Sequence, residues 1–244
     1  MDVPTTGDSA MTAALASLLA AAIAWTAFHV GVAGTRLRDR LVARMGEKVF
    51  RGLFVLGSFA LLGWLGWSFA AAGPVRVLWM APQWLAVAMM LLMLPALLLF
   101  VASVSMPNPT SVAGAHALEA PNPAVGILRI TRHPMLWSFA LWGVVHLAVL
   151  GTLSMALLAG AIAVTALAGM PSLDAKYARR ERGRWPAFAK ATSILPFAAI
   201  AQGRNRLVWS EIGWWRPLLA VVLWLALIAV HPWLFGVDLA RYFH

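Results

Sequence analysis

Long stretches without a charged side chain alternate with short basic ones along this chain, and the long ones have the length of membrane-crossing helices. Charge-free runs extend from Met11 to Gly34, from Gly52 to Val75 and from Val77 to Met106. Each exceeds the roughly 20 residues an α-helix needs to cross a bilayer. In the third run Pro82 suits a helix start, so that helix is expected to open near Gln83, and Pro95 inside it predicts a kink. From Pro134 to Leu173 there are 40 residues without a charge. As one helix they would measure about 60 Å, twice the hydrocarbon thickness, so the run must fold back on itself. Gly151 and Thr152 are the expected turn, which makes this run spans four and five. Pro217 to Val237 forms a sixth. The pattern predicts an all-α polytopic membrane helix bundle of about six transmembrane helices, with no internal repeat and no low-complexity segment.

Composition agrees: 61% of the residues are hydrophobic and 11% charged, far from the balance of a water-soluble domain. Thirteen tryptophans against two tyrosines suit membrane interfaces and a lined cavity. The net charge of +10 reports topology. Six basic residues lie between Arg36 and Arg51, two are Arg129 and Arg132, and nine run from Lys176 to Arg216. Alternating spans put all of these on one side, leaving Arg76 and Arg241 on the other. The positive-inside rule then predicts that both termini are non-cytoplasmic. Nucleic acid is not an expected partner; membrane lipid is, because basic loops at this level meet anionic headgroups. The opening MDVPTTGDSA carries two aspartates and no basic residue, unlike a cleavable signal, so the first span is expected to be retained.

Candidate chemistry lies in the histidines. An imidazole in hydrocarbon must find a partner for its ring N–H, and such groups mark ligands or polar pathways. Cysteine is absent, which excludes disulfides, thiolate-ligated iron and iron–sulfur clusters within the chain and leaves histidine as the main candidate ligand of a transition metal. His29 lies near the inner end of span one, a turn after Trp25, with Arg36 two turns further along the same face. In ITRHPMLWSFALWGVVHL, His133 precedes the helix-opening Pro134 and sits at the membrane surface. His146 lies about 20 Å deeper and points to nearly the opposite face, so the two cannot serve one iron from one helix. Trp142 and Gly143 flank His146, and Gly143 leaves space for a flat ligand.

His29 and His146, on separate helices and facing the bundle interior, suit axial ligation of b-type haem, with Arg36, Arg38 or Arg132 facing its propionates. The plainer reading of each histidine is a hydrogen bond to a neighbouring helix. His133 reads as a helix-start and headgroup residue and His231 as a packing or interface residue, either one an alternative axial ligand. His116 and His244 read as loop and tail residues.

The inner loop from Asp174 to Arg206 alternates basic patches with Tyr177, Trp185, Phe188 and Phe197. It resembles an amphipathic interfacial segment, either a lid over the inner mouth of a cavity or a connector resting on lipid. Asn108 and Thr110, in the proline-rich loop before span four, shape a cavity rim or cap turns.

The segments FHVGVAGTRLRDRLVARMGEKVFRGLF, NPTSV, GILRITRHPMLWSFALWGVVHL and TSILPFAAIAQGR together resemble the NnrU family, which includes the plant 15-cis-zeta-carotene isomerases. The likeness covers nearly the whole chain, so residues 1–244 are expected to form a single NnrU-type integral membrane domain in the bacterial inner (cytoplasmic) membrane. The resemblance implies haem b as cofactor, with His29 and His146 at the positions of its axial ligands. It also implies a redox-gated cis–trans isomerisation of a lipophilic polyene. A hydrocarbon polyene offers no proton to abstract and no carbonyl to attack, so electron donation from a metal is the available handle. Partners implied are a lipophilic small molecule and an electron-donor protein. Bacterial members are also linked to nitrite and nitric oxide reduction, which implies a non-catalytic haem accessory in denitrification as the alternative. Arg-His-Pro before a span also distantly resembles membrane methyltransferases, but Met135 stands where those have tyrosine.

Overall fold

The computed structural model describes residues 6–239; the expectations for the first five residues, Arg241 and His244 lie outside them. The order of elements is α1 (Thr6–Val32), α2 (Arg36–Met45), α3 (Glu47–Ala72), β1 (Val77–Met80), α4 (Gln83–Ser105), two short 3-10 turns, α5 (Pro134–Val149), β2 (Leu150–Thr152), α6 (Leu153–Arg180), α7 (Trp185–Ala191), α8 (Ala198–Ala201), α9 (Trp209–Ile212) and α10 (Trp215–Phe235). Five helices, α1, α3, α4, α6 and α10, are long and apolar enough to cross a membrane. The fourth expected span, α5, has 16 residues, about 24 Å of helix. The chain is an all-α polytopic bundle. Helix α4 opens at Gln83, as Pro82 predicts, and runs on through Pro95.

The expected fold-back at Gly151 and Thr152 is present, but as a strand. β2 pairs antiparallel with β1, Trp79 standing opposite Gly151. A Cβ at Gly151 would run into the Trp79 indole, whose Nε1 donates to Leu147 O at 3.2 Å. This two-stranded ribbon closes one end of the bundle. The basic loops gather at the other.

The helices form a row in which α3 packs on α1, α1 on α6, α6 on α5, α5 on α4 and α4 on α10. Helix α6 is central because its sequence, LSMALLAGAIAVTALAGM, is rich in alanine and glycine. Helices in lipid associate by close backbone approach rather than by hydrophobic burial, so small residues mark the contact. On one side Leu18, Ala21 and Ala22 of α1 pack with Ala161 of α6 and with Leu65 and Ala72 of α3. On the other, a Cβ at Gly143 of α5 would lie 2.7 Å from Ala159 O and 2.9 Å from the Ala163 Cβ. Gly143 therefore seats α6 directly, and the space expected there for a flat ligand is filled.

The inner loop also differs from expectation. Helix α6 continues to Arg180, carrying Asp174 and Tyr177 with it. Tyr177, Trp185 and Phe188 are buried with Leu99, Leu118, Ile127, Leu128, Ile130 and Ile212 in a core beneath the basic end. These aromatics are packed against protein because α7 folds back under the bundle. Phe197 alone of the four is exposed, in a left-handed backbone conformation at φ 63°.

Candidate functional site

The segments that stand out in the sequence converge at the basic end. Arg132 N donates to Ser193 O at 3.0 Å and Phe197 N to Ile130 O at 2.9 Å, while the Thr131 hydroxyl reaches Ile194 O at 2.7 Å. Trp137 Nε1 donates to the same Ile194 O at 2.8 Å. The TSILPF stretch is thus stitched along ITRHP. Asn108 Oδ1 accepts from Thr110 N at 3.0 Å, and the Thr110 hydroxyl lies between Asn108 Oδ1 and Arg132 O, at 2.9 and 2.8 Å. The turn-capping reading of Asn108 and Thr110 holds, and the capped turn is anchored on Arg132.

At the centre is Asp174. Arg132 Nε and Nη2 bind its carboxylate at 3.0 and 2.5 Å, and His133 Nε2 lies 2.7 Å from Oδ1. His133 is 1% exposed, so it does not face headgroups as expected. Its backbone caps α5 and turns the ring inward. Burial lowers its pKa, against the Asp174 hydrogen bond that raises it. With Nε2–H donated to Asp174, Nδ1 keeps its lone pair, buried and without a hydrogen-bond partner among the described residues. Asp174 was the missed residue. Its signal in the sequence is that it is the first acid after 40 uncharged residues.

A second ion pair braces the same end. Arg129 Nε and Nη2 grip Glu211 at 2.7 and 2.8 Å, and Gly126 N donates to the same carboxylate at 2.6 Å. The Arg129 hydrogen bond holds the Glu211 carboxyl below the usual carboxylate range. Arg38, buried, pairs with Glu47 at 2.6 Å.

A model of the NnrU protein family matches residues 17–239. This chain belongs to the NnrU family. No match was found among curated proteins or among solved structures.

In this NnrU protein His29 and His146 share a local design. Each donates from Nδ1 to the carbonyl one turn back, Trp25 O or Trp142 O, at 2.8 Å. Each ring lies against that tryptophan, with centroids 3.9 and 4.3 Å apart. A proton on Nδ1 leaves Nε2 with its lone pair, the tautomer in which a metal-binding histidine is held. For His29 that lone pair faces the Ser58 hydroxyl on α3 at 3.2 Å. For His146, Nε2 has no hydrogen bond among the described residues.

The bundle does not bring the two rings together. Helix α1 runs parallel to α6, with Thr26 beside Thr165 and Gly34 against Ser172. Helix α5 runs antiparallel to it, with Leu136 beside Gly169 and Gly143 beside Ala159 and Ala163. His29 therefore stands level with about residue 168 of α6 and His146 with about residue 158, some 15 Å apart along the axis. Both helices pack on α6, and among the described residues no printed contact joins the two rings.

The arginines expected at the propionates are placed elsewhere too. Arg132 is held by Asp174. Helix α1 stops at Val32, and Thr35 caps a new helix beginning at Arg36, so Arg36 does not continue the face of His29. Both arginines lie at the basic end, whereas His146 and Trp142 lie toward the ribbon. His116, exposed in a 3-10 turn, bonds its own loop at Ala113 O.

Proposed function

We propose that this NnrU protein binds b-type haem in the membrane with His146 as an axial ligand. The observation that supports it is the His146 imidazole itself, in the ribbon-end half of the bundle: its Nδ1 donates to Trp142 O, and its Nε2 makes no hydrogen bond among the described residues. A haem bound there would supply one-electron redox chemistry. Trp142 orients the imidazole and lines one side of it, Gly143 keeps α5 tight on α6, and the apolar helix faces would exclude water from such a site.

On this reading the protein is a redox-gated cis–trans isomerase of a lipophilic polyene that enters from the bilayer. Reducing equivalents come from an electron-donor protein. Its setting is the bacterial inner membrane with both termini non-cytoplasmic, since the basic end carries seventeen of nineteen cations and the positive-inside rule keeps that end in the cytoplasm.

The test is a reduced-minus-oxidised spectrum of protein purified in detergent. A Soret band lost or shifted in His146→Ala and kept in His116→Ala supports the reading. A haem-free protein, or a spectrum unchanged in His146→Ala, refutes it. Haem binding without conversion of a cis-polyene under reducing conditions favours the accessory role in nitrite and nitric oxide reduction.

A further inference from the structure

We propose that the basic end carries a headgroup site for an anionic membrane lipid, a cleft between α7, the TSILPF loop and α8 in which Lys190 and Arg204 take the lipid's phosphate. The site is separate from the membrane-embedded histidines and does not depend on the haem reading.

The cleft has a volume of about 490 Å3, and Arg132, Lys190, Thr192, Ser193, Gln202 and Arg204 form its polar wall. Among the described residues no acid lines it. Its shape is held from several sides. Arg132 N donates to Ser193 O at 3.0 Å, the Thr192 hydroxyl to Phe188 O at 2.7 Å, and Ala199 N to Ser193 Oγ at 3.0 Å.

Arg204 carries the argument furthest. Its Nε donates to Gln202 Oε1 at 2.8 Å, and its Nη1 donates to Lys190 O and, at 2.9 Å, to Thr192 O. All three acceptors are neutral, so they orient the guanidinium without cancelling its charge. Its Nη2 makes no hydrogen bond among the described residues and is left to donate to a ligand. Arg129 and Arg132 differ, since each grips a carboxylate. Lys190, on the same wall, makes neither a hydrogen bond nor an ion pair among the described residues. Two uncompensated cations in a concave wall without acids are the donor set of a phosphate site. An arginine already ordered by its neighbours also loses little further freedom when the ligand arrives.

The surroundings favour a lipid over a free phosphate. Ile194 and Ala198 line the cleft, and beside them Leu195 and Phe197 are 62% and 51% exposed. Phe197 holds its left-handed backbone through the bond of its N–H to Ile130 O, and its ring stays out of the core that takes Phe188. Exposed apolar side chains at the lip of a cationic cleft match a molecule that joins a phosphate to acyl chains, and cations at headgroup level attract such lipids.

The experiment follows the thermal unfolding midpoint of the full-length protein in neutral detergent, titrated with phosphatidylglycerol, phosphatidylcholine or inorganic phosphate. A ligand that binds the folded state raises the midpoint as its concentration passes the dissociation constant. Phosphatidylglycerol is expected to raise it saturably, and the other two to have little effect. Lys190→Gln is expected to weaken phosphatidylglycerol binding about fivefold, the effect of one cation near an anionic lipid surface. Arg204→Lys keeps the charge but loses the oriented Nη2, and is also expected to bind more weakly. Leu195→Ser weakens the lipid response by removing apolar contact. Arg40→Gln, which removes an exposed cation of the same end outside the cleft, is expected to bind as wild type. The midpoint of each variant without lipid reports whether it folds. An equal response to phosphatidylcholine, or an equal loss in Arg40→Gln and Lys190→Gln, overturns the site in favour of general surface charge. Wild-type binding in both Lys190→Gln and Arg204→Lys overturns it outright. Inorganic phosphate as effective as phosphatidylglycerol makes the ligand a free anion and overturns the lipid assignment.

Discussion

His133 and Asp174, 41 positions apart in the chain, meet at 2.7 Å beneath the mouth of the bundle, and Arg132 closes on the same carboxylate from the other side. One carboxylate thus answers two basic neighbours in a place with little water. Such a group holds the start of α5 to the end of α6.

Removing that carboxylate should be costly. Asp174→Ala leaves the part-buried Arg132 without its counter-ion, and breaking a pair largely withdrawn from water costs up to about 3 kcal/mol. The expected outcome is a large fall in the thermal unfolding midpoint in detergent, with Asp174→Glu recovering part of it. An Asp174→Ala midpoint equal to wild type would contradict a stabilising role for this ion pair.

Stability should fall on acidification in two stages. Burial keeps His133 neutral to lower pH than in the unfolded chain, so below about pH 6.5 the unfolded state binds the extra proton and folding weakens. Glu211 has the same sign lower down: its contribution is complete above about pH 4.3 and is lost as pH falls through the depressed folded value. Unfolding midpoints measured across pH should show both stages, and His133→Gln should flatten the first alone. A wild-type profile that is level from about pH 7 to pH 5 would remove His133 from this role.

Two glycines in facing helices should respond in opposite ways. Gly143→Ala forces its new Cβ onto the α6 backbone at Ala159 O and should destabilise by about 1–3 kcal/mol. Gly160→Ala meets nothing within 4 Å and should be neutral or stabilising by up to about 1 kcal/mol through helix propensity. Paired unfolding curves compare them directly. Equal effects would mean that α5 and α6 are not in the close contact described.

Phe188 distinguishes a core from a surface connector. It is 1% exposed, so Phe188→Ala should cost about 3–5 kcal/mol. Phe197→Ala, at an exposed aromatic, should change stability by no more than about 0.5 kcal/mol. Limited proteolysis should cut Phe188→Ala readily between α6 and α8. Resistance equal to wild type would return the segment to the surface.

The spans were legible because charge is excluded from hydrocarbon over a fixed thickness, a constraint written in consecutive residues. Gln83 as the start of α4 and the fold-back at Gly151 follow from the same kind of local rule. The ribbon was not legible: β1 and β2 are four and three residues long, and their pairing joins positions 70 or more apart. At the candidate site, the local preparation of His29 and His146 was readable from Trp-x-x-x-His, because a helix brings position i−4 alongside. How deep each ring lies in the bundle was not.

By itself, then, the sequence determines a basic-ended, multi-pass helical bundle of the NnrU type with a tryptophan one turn before each of two membrane-embedded histidines. Only the tertiary structure decided that α6 separates α1 from α5, that Asp174 takes up Arg132 and His133, and that Tyr177, Trp185 and Phe188 belong to a core. Hydropathy and capping act within a turn or two of the chain, whereas the depth and facing of a side chain depend on the small-residue contacts that set one helix against another.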